Sequence, residues 1–238
     1  MKTHELKLCE SISFDLEKAL NAYTPFDDIE KKHVESVLHL LKTEKEPFLR
    51  ETKIGHITGS VFLLSSDFKR MLMTHHKKLN KWLQFGGHSD GDKNTLRVAM
   101  RELSEESGVK NFQLYGNGIA DIDVHTIKEP AHSHYDIRFI FTTDDDNFVV
   151  SDESNDLKWF TLDEFTKLVQ SDNHYNPHNI EALTRFIKKW RARRESNSQS
   201  AASKADAISV RPRAHVLLYH RVNTLGKMEN SNAMFYLN

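Results

Sequence analysis

The stretch from Gly86 to Val109, GGHSDGDKNTLRVAMRELSEESGV, constrains this chain more than any other. It opens as a polar loop holding Gly86, Gly87 and Gly91, continues as a helical segment, and closes at Gly108. On a helix, positions i, i+3 and i+4 share a face, so Glu102, Glu105 and Glu106 form one carboxylate cluster. The other side carries Leu96, Ala99, Met100 and Leu103, with Val109 just past the helix end, a stripe that must be buried. Like charges this close repel, and some take up protons unless a cation lies among them. Mg²⁺, a hard ion, prefers oxygen ligands of this kind, with Mn²⁺ the alternative. The expectation is a helix anchored on one side and chemically active on the other.

These residues resemble the Nudix box, whose pattern is G, five residues, E, seven residues, then R-E-U-x-E-E-x-G-U with U aliphatic. Gly87 matches its first position, and Arg101, Glu102, Leu103, Glu105, Glu106, Gly108 and Val109 match the closing block in full. Lys93 stands where the pattern has its first glutamate. Residues fixed at this spacing would arise by chance roughly once in a million starting points, at about 6% usage each. The resemblance implies an α/β (α+β) fold, the Nudix fold, with a mixed β-sheet sandwiched between helices and here an N-terminal helical extension. It also implies attack of water on a phosphorus of a nucleoside diphosphate derivative, assisted by divalent cations. Glu102, Glu105 and Glu106 would hold the metal, with Glu102 and Glu105 catalytic. Arg101 would orient the glutamates, and Gly86 and Gly87 would let the backbone turn and approach the site closely. Lys93 cannot ligate Mg²⁺ as an ammonium ion, so Asp90 and Asp92 are the nearby acids that could supply an oxygen instead. A catalytically weak nucleotide-binding or sensing module is the alternative that Lys93 motivates.

A further family acid commonly lies before a late strand. Glu153, six residues before Trp159 in DESNDLKWF, resembles it as metal ligand or proton acceptor, with Asp152 and Asp156 as rivals. His132 and His134 fall on one side of an extended segment and, with His88 or His125, could form a metal site. Hydrogen bonding or substrate contact is the reading the sequence favours, with His88 and His134 the candidates for substrate. Phe85, Tyr135, Phe139 and Trp159 are open between stacking on a base and core packing.

Elsewhere the chain sets bounds. A formal net charge of −1 over 238 residues does not argue for nucleic-acid binding. Cys9 is the only cysteine, so neither an internal disulfide nor a cysteine-based zinc cage is available. No apolar run reaches membrane-spanning length, and Glu5 and Glu10 interrupt a basic start that no apolar segment follows. A cytoplasmic protein with a small nucleotide-type substrate is expected, and a homodimer is the default among symmetric assemblies.

Three segments are expected. Residues 1–50 read as a helical hairpin packed on the main domain: Leu16, Ala19, Leu20 and Tyr23, then Val34, Val37, Leu38 and Leu41, fall at helical spacing around Pro25, with Asp27 or Asp28 as a cap. Residues 51–193 form the Nudix domain. Its strands are expected near 56–64, 70–74, 114–126, 135–142 and 157–160, with Trp82 to Phe85 leading directly into the glycine loop, and its later helices near 162–170 and 176–193. His75 to Lys78 read as a solvated turn, as do Asp144 to Asp146. Residues 194–238 read as a flexible tail, beginning with a serine-rich linker at Ser196–Ser203.

Overall fold

The computed structural model describes residues 13–116, 118–128, 131–171 and 175–206. Two helices come first, α1 (Leu16–Ala22) and α2 (Asp28–Thr43). Asp15 and Asp27 cap them by accepting the backbone N–H of Lys18 and Glu30. Leu16, Leu20, Val34, Val37 and Leu40 are buried in one core with strand residues, so the hairpin is part of the packed body. Residues 1–12 of the expected helical extension lie outside the described residues.

Among the described residues eight strands build one mixed sheet: β1 (Gly55–Ser65), β2 (Arg70–His76), β3 (Lys81–Leu83), β4 (Phe85–His88), β5 (Gln113–Leu114), β6 (Asp121–Lys128), β7 (Ala131–Thr143) and β8 (Ser154–Thr161). The axis is the parallel pair β1 and β7, in register from Gly55 opposite Ser133 to Ser65 opposite Thr143. The other edge of β1 is shared. Thr58–Val61 pairs with β4, and Leu63–Leu64 pairs with β2. β8 extends the sheet beyond β2, and β6 pairs with β7.

Alternation along β1 and β7 sends side chains to two different cores. Ile57, Val61, Leu63, Ile137, Phe139 and Phe141 pack with helix α3 (Thr95–Ser107) and the N-terminal hairpin. Phe62, Leu64 and Ile140 pack with α4 (Leu162–Ser171) and α5 (Pro177–Asp206), where Phe62 stacks on Phe186. The sheet is therefore flanked by helices on both faces, the mixed α/β layering expected from the resemblance.

Four local readings change. The expected strand at 114–126 is two, β5 and β6, with Gly116 at φ 79° between them. β7 begins at Ala131, well before Tyr135, because its whole length pairs with β1 and β6. His75 and His76 close β2 rather than sitting in a turn. The last helix continues to Asp206 and includes Ser196–Ser203, where a linker was expected. That run holds alanines and charged neighbours but no glycine or proline, so nothing in it breaks a helix. The compact unit containing the sheet extends to Ser198; a second covers Gln199–Asn238, of which 207–238 lie outside the described residues. Among the described residues no helix is long and apolar enough to cross a membrane.

Candidate active site

The site is built where β4 passes over α3. Asn94 caps α3 by accepting the Arg97 N–H, and Gly108, at φ 68°, ends it in the left-handed conformation a glycine adopts at least cost. Leu96, Ala99, Met100, Leu103 and Val109 are buried as expected, which fixes the rotation of the helix. Its remaining face then presents Glu102, Glu105 and Glu106 along the edge of the sheet.

Gly86 and Gly87 are strand residues, paired with Ser60 and Gly59. The sharp turn expected of them falls instead at Asp90 and Gly91, at φ 48° and 88°. What Gly87 supplies is room: a Cβ there would lie 2.5 Å from the Glu102 carboxyl carbon. The strand backbone thus touches the carboxylates. Gly86 donates its N–H to Glu106 Oε1 at 2.8 Å. Arg101 Nη2 donates both to Glu102 Oε1 at 2.9 Å and to the His88 carbonyl at 3.0 Å, tying helix to strand.

Burial and mutual repulsion both act on these acids. Glu106 is pushed up to about 8, first by burial and then by Glu102, Glu153 and Glu105, against the Gly86 hydrogen bond that lowers it. Glu102 is raised by burial, against Arg101, with Glu105 and Glu153 adding to the rise. Glu105 itself is exposed. Glu153, from the loop before β8, is therefore brought beside the three box glutamates. Of its rivals, Asp156 accepts the Leu157 N–H of its own strand, and the Asp152 carbonyl accepts from Lys77. The loop is held by Lys77, whose N–H donates to the Glu153 carbonyl.

Asp90 and Asp92 do not replace the missing glutamate. Arg50 donates twice to Asp90, at 2.6 Å each, and Arg97 donates twice to Asp92, at 2.7 and 2.6 Å. Bidentate arginine pairing uses the oxygens a cation would need. Lys93 is exposed in the bend just before α3. The Asp144–Asp146 run is likewise a turn, with Asp144 bonded to Ser66, Asp146 paired with Arg70 at 3.0 Å and Asp145 accepting from Asn147.

Of the aromatic candidates, Phe85 and Phe139 are wholly buried core. Trp159 and Tyr135 are half-buried, and the Arg70 guanidinium lies 4.9 Å over the Trp159 ring.

The model of the NUDIX domain matches residues 56–181, over half of the chain. The chain belongs to the Nudix family. With that membership comes the general chemistry of Nudix hydrolases, hydrolysis at a diphosphate. No curated protein sequence matches. Among solved structures, a Nudix-family hydrolase from Clostridium perfringens is 25% identical, covering 56% of this chain and 96% of its own, with a TM-score of 0.42. The MutT protein from Methanosarcina mazei Go1 is 15% identical, covering 60% and 96%, with a TM-score of 0.46. The E. coli dihydroneopterin triphosphate pyrophosphohydrolase is 16% identical, covering 55% and 94%, with a TM-score of 0.44.

Two features escaped the sequence reading. One is a buried ionic network on the sheet face opposite α3. Arg138 donates to Asp121, Asp123 and Asp136 at 3.1, 3.0 and 2.7 Å. Asp121 also pairs with Arg185 at 3.1 Å and Lys189 at 2.7 Å, and Lys189 reaches Glu30 of α2 at 2.5 Å. The polar positions in DIDVH and YDIRF were its signal, since alternate residues of central strands share a face. The other is His56, buried between the histidines of β4 and β7, with ring centroids 5.0 Å from His88 and 4.9 Å from His134. Nothing in the sequence set it apart from the strand around it.

Proposed function

We propose that this Nudix protein hydrolyses the diphosphate linkage of a nucleoside diphosphate derivative, using Mg²⁺ or Mn²⁺ bound by Glu102, Glu105 and Glu106. The observation that carries the reading is the convergence of four carboxylates, Glu153 included, with burial and repulsion raising Glu106 to about 8. An all-oxygen donor set of this charge suits a hard divalent ion. When bound, such an ion offsets the diphosphate charge and lowers the pKa of a coordinated water.

The protein's own residues do the rest. Arg101 holds the Glu102 carboxylate by a charge-assisted bond while anchored on the His88 carbonyl. The Gly86 N–H fixes Glu106. Glu153, exposed in the loop before β8, has the access to accept a proton from the attacking water. A cytoplasmic setting and a homodimer remain part of the proposal.

A second reading has its own support. Lys93 is exposed, and the two nearby loop acids, Asp90 and Asp92, are committed to arginines rather than standing in for the first box glutamate. On that ground the domain binds or senses a nucleotide with little turnover. A panel of nucleoside diphosphate derivatives with Mg²⁺ or Mn²⁺ separates the two. Turnover that falls on the order of 100-fold in Glu105→Gln or Glu106→Gln supports hydrolysis. Tight binding without turnover in either metal favours the sensor.

A further inference from the structure

We propose that His56, His132 and His134 form a binding site for a zinc-class transition-metal ion, distinct from the carboxylate cluster of α3. Each offers one ring nitrogen, and the three atoms lie within 4.8 Å of one another. His132 Nε2 and His134 Nε2 face each other at 3.2 Å, and the His132 ring stacks on His56 with centroids 5.1 Å apart. His88 closes the cluster, 5.0 Å from His56 and 5.3 Å from His134 between ring centroids.

His56 gives the independent sign that something belongs there. It is 1% exposed, and neither of its ring nitrogens has a hydrogen-bond partner. A buried polar side chain with both nitrogens unmatched is costly, and native proteins rarely leave one so. A metal ion would take a lone pair from each ring. Neutral imidazole suits Zn²⁺, Cu²⁺ or Ni²⁺, whereas Mg²⁺ takes oxygen. Three histidines leave one tetrahedral position for water or an anionic ligand.

The sheet separates this site from the glutamates. Gly87 faces Glu102, so its strand neighbour His88 faces the other side. Parallel pairing sets His56 beside His134, and antiparallel pairing sets His125 there from β6. A second group, Asp123, His125 and His178, has ligand-like spacing too. There, however, Asp123 Oδ2 already meets Arg138, His125 and His178, and its Oδ1 accepts from Arg185, so both oxygens are engaged. The metal assignment also takes His134 from substrate contact, the role its sequence position suggested. None of this depends on the hydrolase reading.

The test is Zn²⁺ binding by calorimetry, and Co²⁺ binding by visible absorption, on the untagged full chain stripped of metal with EDTA and then freed of EDTA. The expected result is uptake of one equivalent that millimolar Mg²⁺ does not displace, with a rise in thermal midpoint. His132→Gln and His134→Gln should each weaken binding at least about tenfold, while Glu106→Gln should not. His132 is only partly buried, so its variant decides the matter even if His134→Gln folds poorly. Absence of uptake, uptake unchanged in His132→Gln, or uptake lost in Glu106→Gln or His125→Gln alone would overturn the proposal.

Discussion

Gly87 and Gly108 lie at the two ends of the same motif, and each is glycine for a different physical reason. At Gly87 the constraint is contact. Replacing it with alanine puts a methyl group 2.5 Å from the Glu102 carboxyl carbon, so the acid must move. Gly87→Ala should cut turnover while leaving the thermal midpoint near that of the parent, because Glu102 lies at the solvent edge of the core. At Gly108 the constraint is conformation, φ 68°. Gly108→Ala should cost about 1 kcal/mol, seen as a lower denaturant midpoint, with activity per folded molecule unchanged. Glu153 is the third test at this scale. Glu153→Gln should lower turnover on the order of 100-fold with little change in the affinity for Mg²⁺ if the residue handles the proton; an equal loss in metal affinity would make it a ligand instead.

Among the elements, β1 and the N-terminal hairpin show how much a periodic pattern can and cannot say. The i, i+3, i+4 spacing of Val34, Val37, Leu38 and Leu41 correctly marked a helix with a buried face. It did not say which surface covered that face. The structure places Leu40, 1% exposed, in the core shared with β1, β7 and α3. Leu40→Ala should therefore cost about 2–5 kcal/mol, read from urea unfolding, whereas a change at exposed Leu79 should be nearly neutral. The β1 edge has a similar history. Its apolar run identified a strand, but the division of its free edge between β2 and β4 decides where Gly87 meets the helix. Strand partners are chosen by packing across the sheet, and the composition of one strand does not contain that choice.

Across the molecule, the buried ionic network joins α2, β6, β7 and α5, elements far apart in the chain. Removing one partner leaves an uncompensated buried charge, so Arg138→Met should destabilise the protein by about 3–5 kcal/mol. The network also sets an acid limit. Burial alone would raise Asp121, but Lys189, Arg138 and Arg185 hold it below its ordinary 3.8, and Arg138 with His125 and His178 does the same for Asp123. An acid with a depressed native pKa binds fewer protons folded than unfolded. Its stabilising contribution is therefore present above about 3.8 and is lost as pH falls below it. Guanidinium midpoints should drop below pH 4, and the slope should be shallower in Asp121→Asn than in the parent chain; equal slopes would assign acid sensitivity elsewhere.

The box helix, its end at Gly108, its buried stripe and its glutamate face were all legible in one stretch of chain, because helix periodicity and the glycine stop are local chemistry. Lys93 was legible too, as a departure from a fixed spacing. The fate of its neighbours was not. Asp90 is claimed by Arg50, forty residues away, and Asp92 by Arg97 across the helix start. Which loop acid comes near the box glutamates depends on how β8 and its preceding loop are held against β2. The histidine cluster depends on the parallel register of β1 with β7, which sets His56 opposite His134. Such pairings are decided by side chains packing across the sheet, between residues like Thr58 and Asp136 that are 78 positions apart. That distance is why the carboxylate face could be read from the chain while the place of His56 among the histidines appears only once the chain is folded.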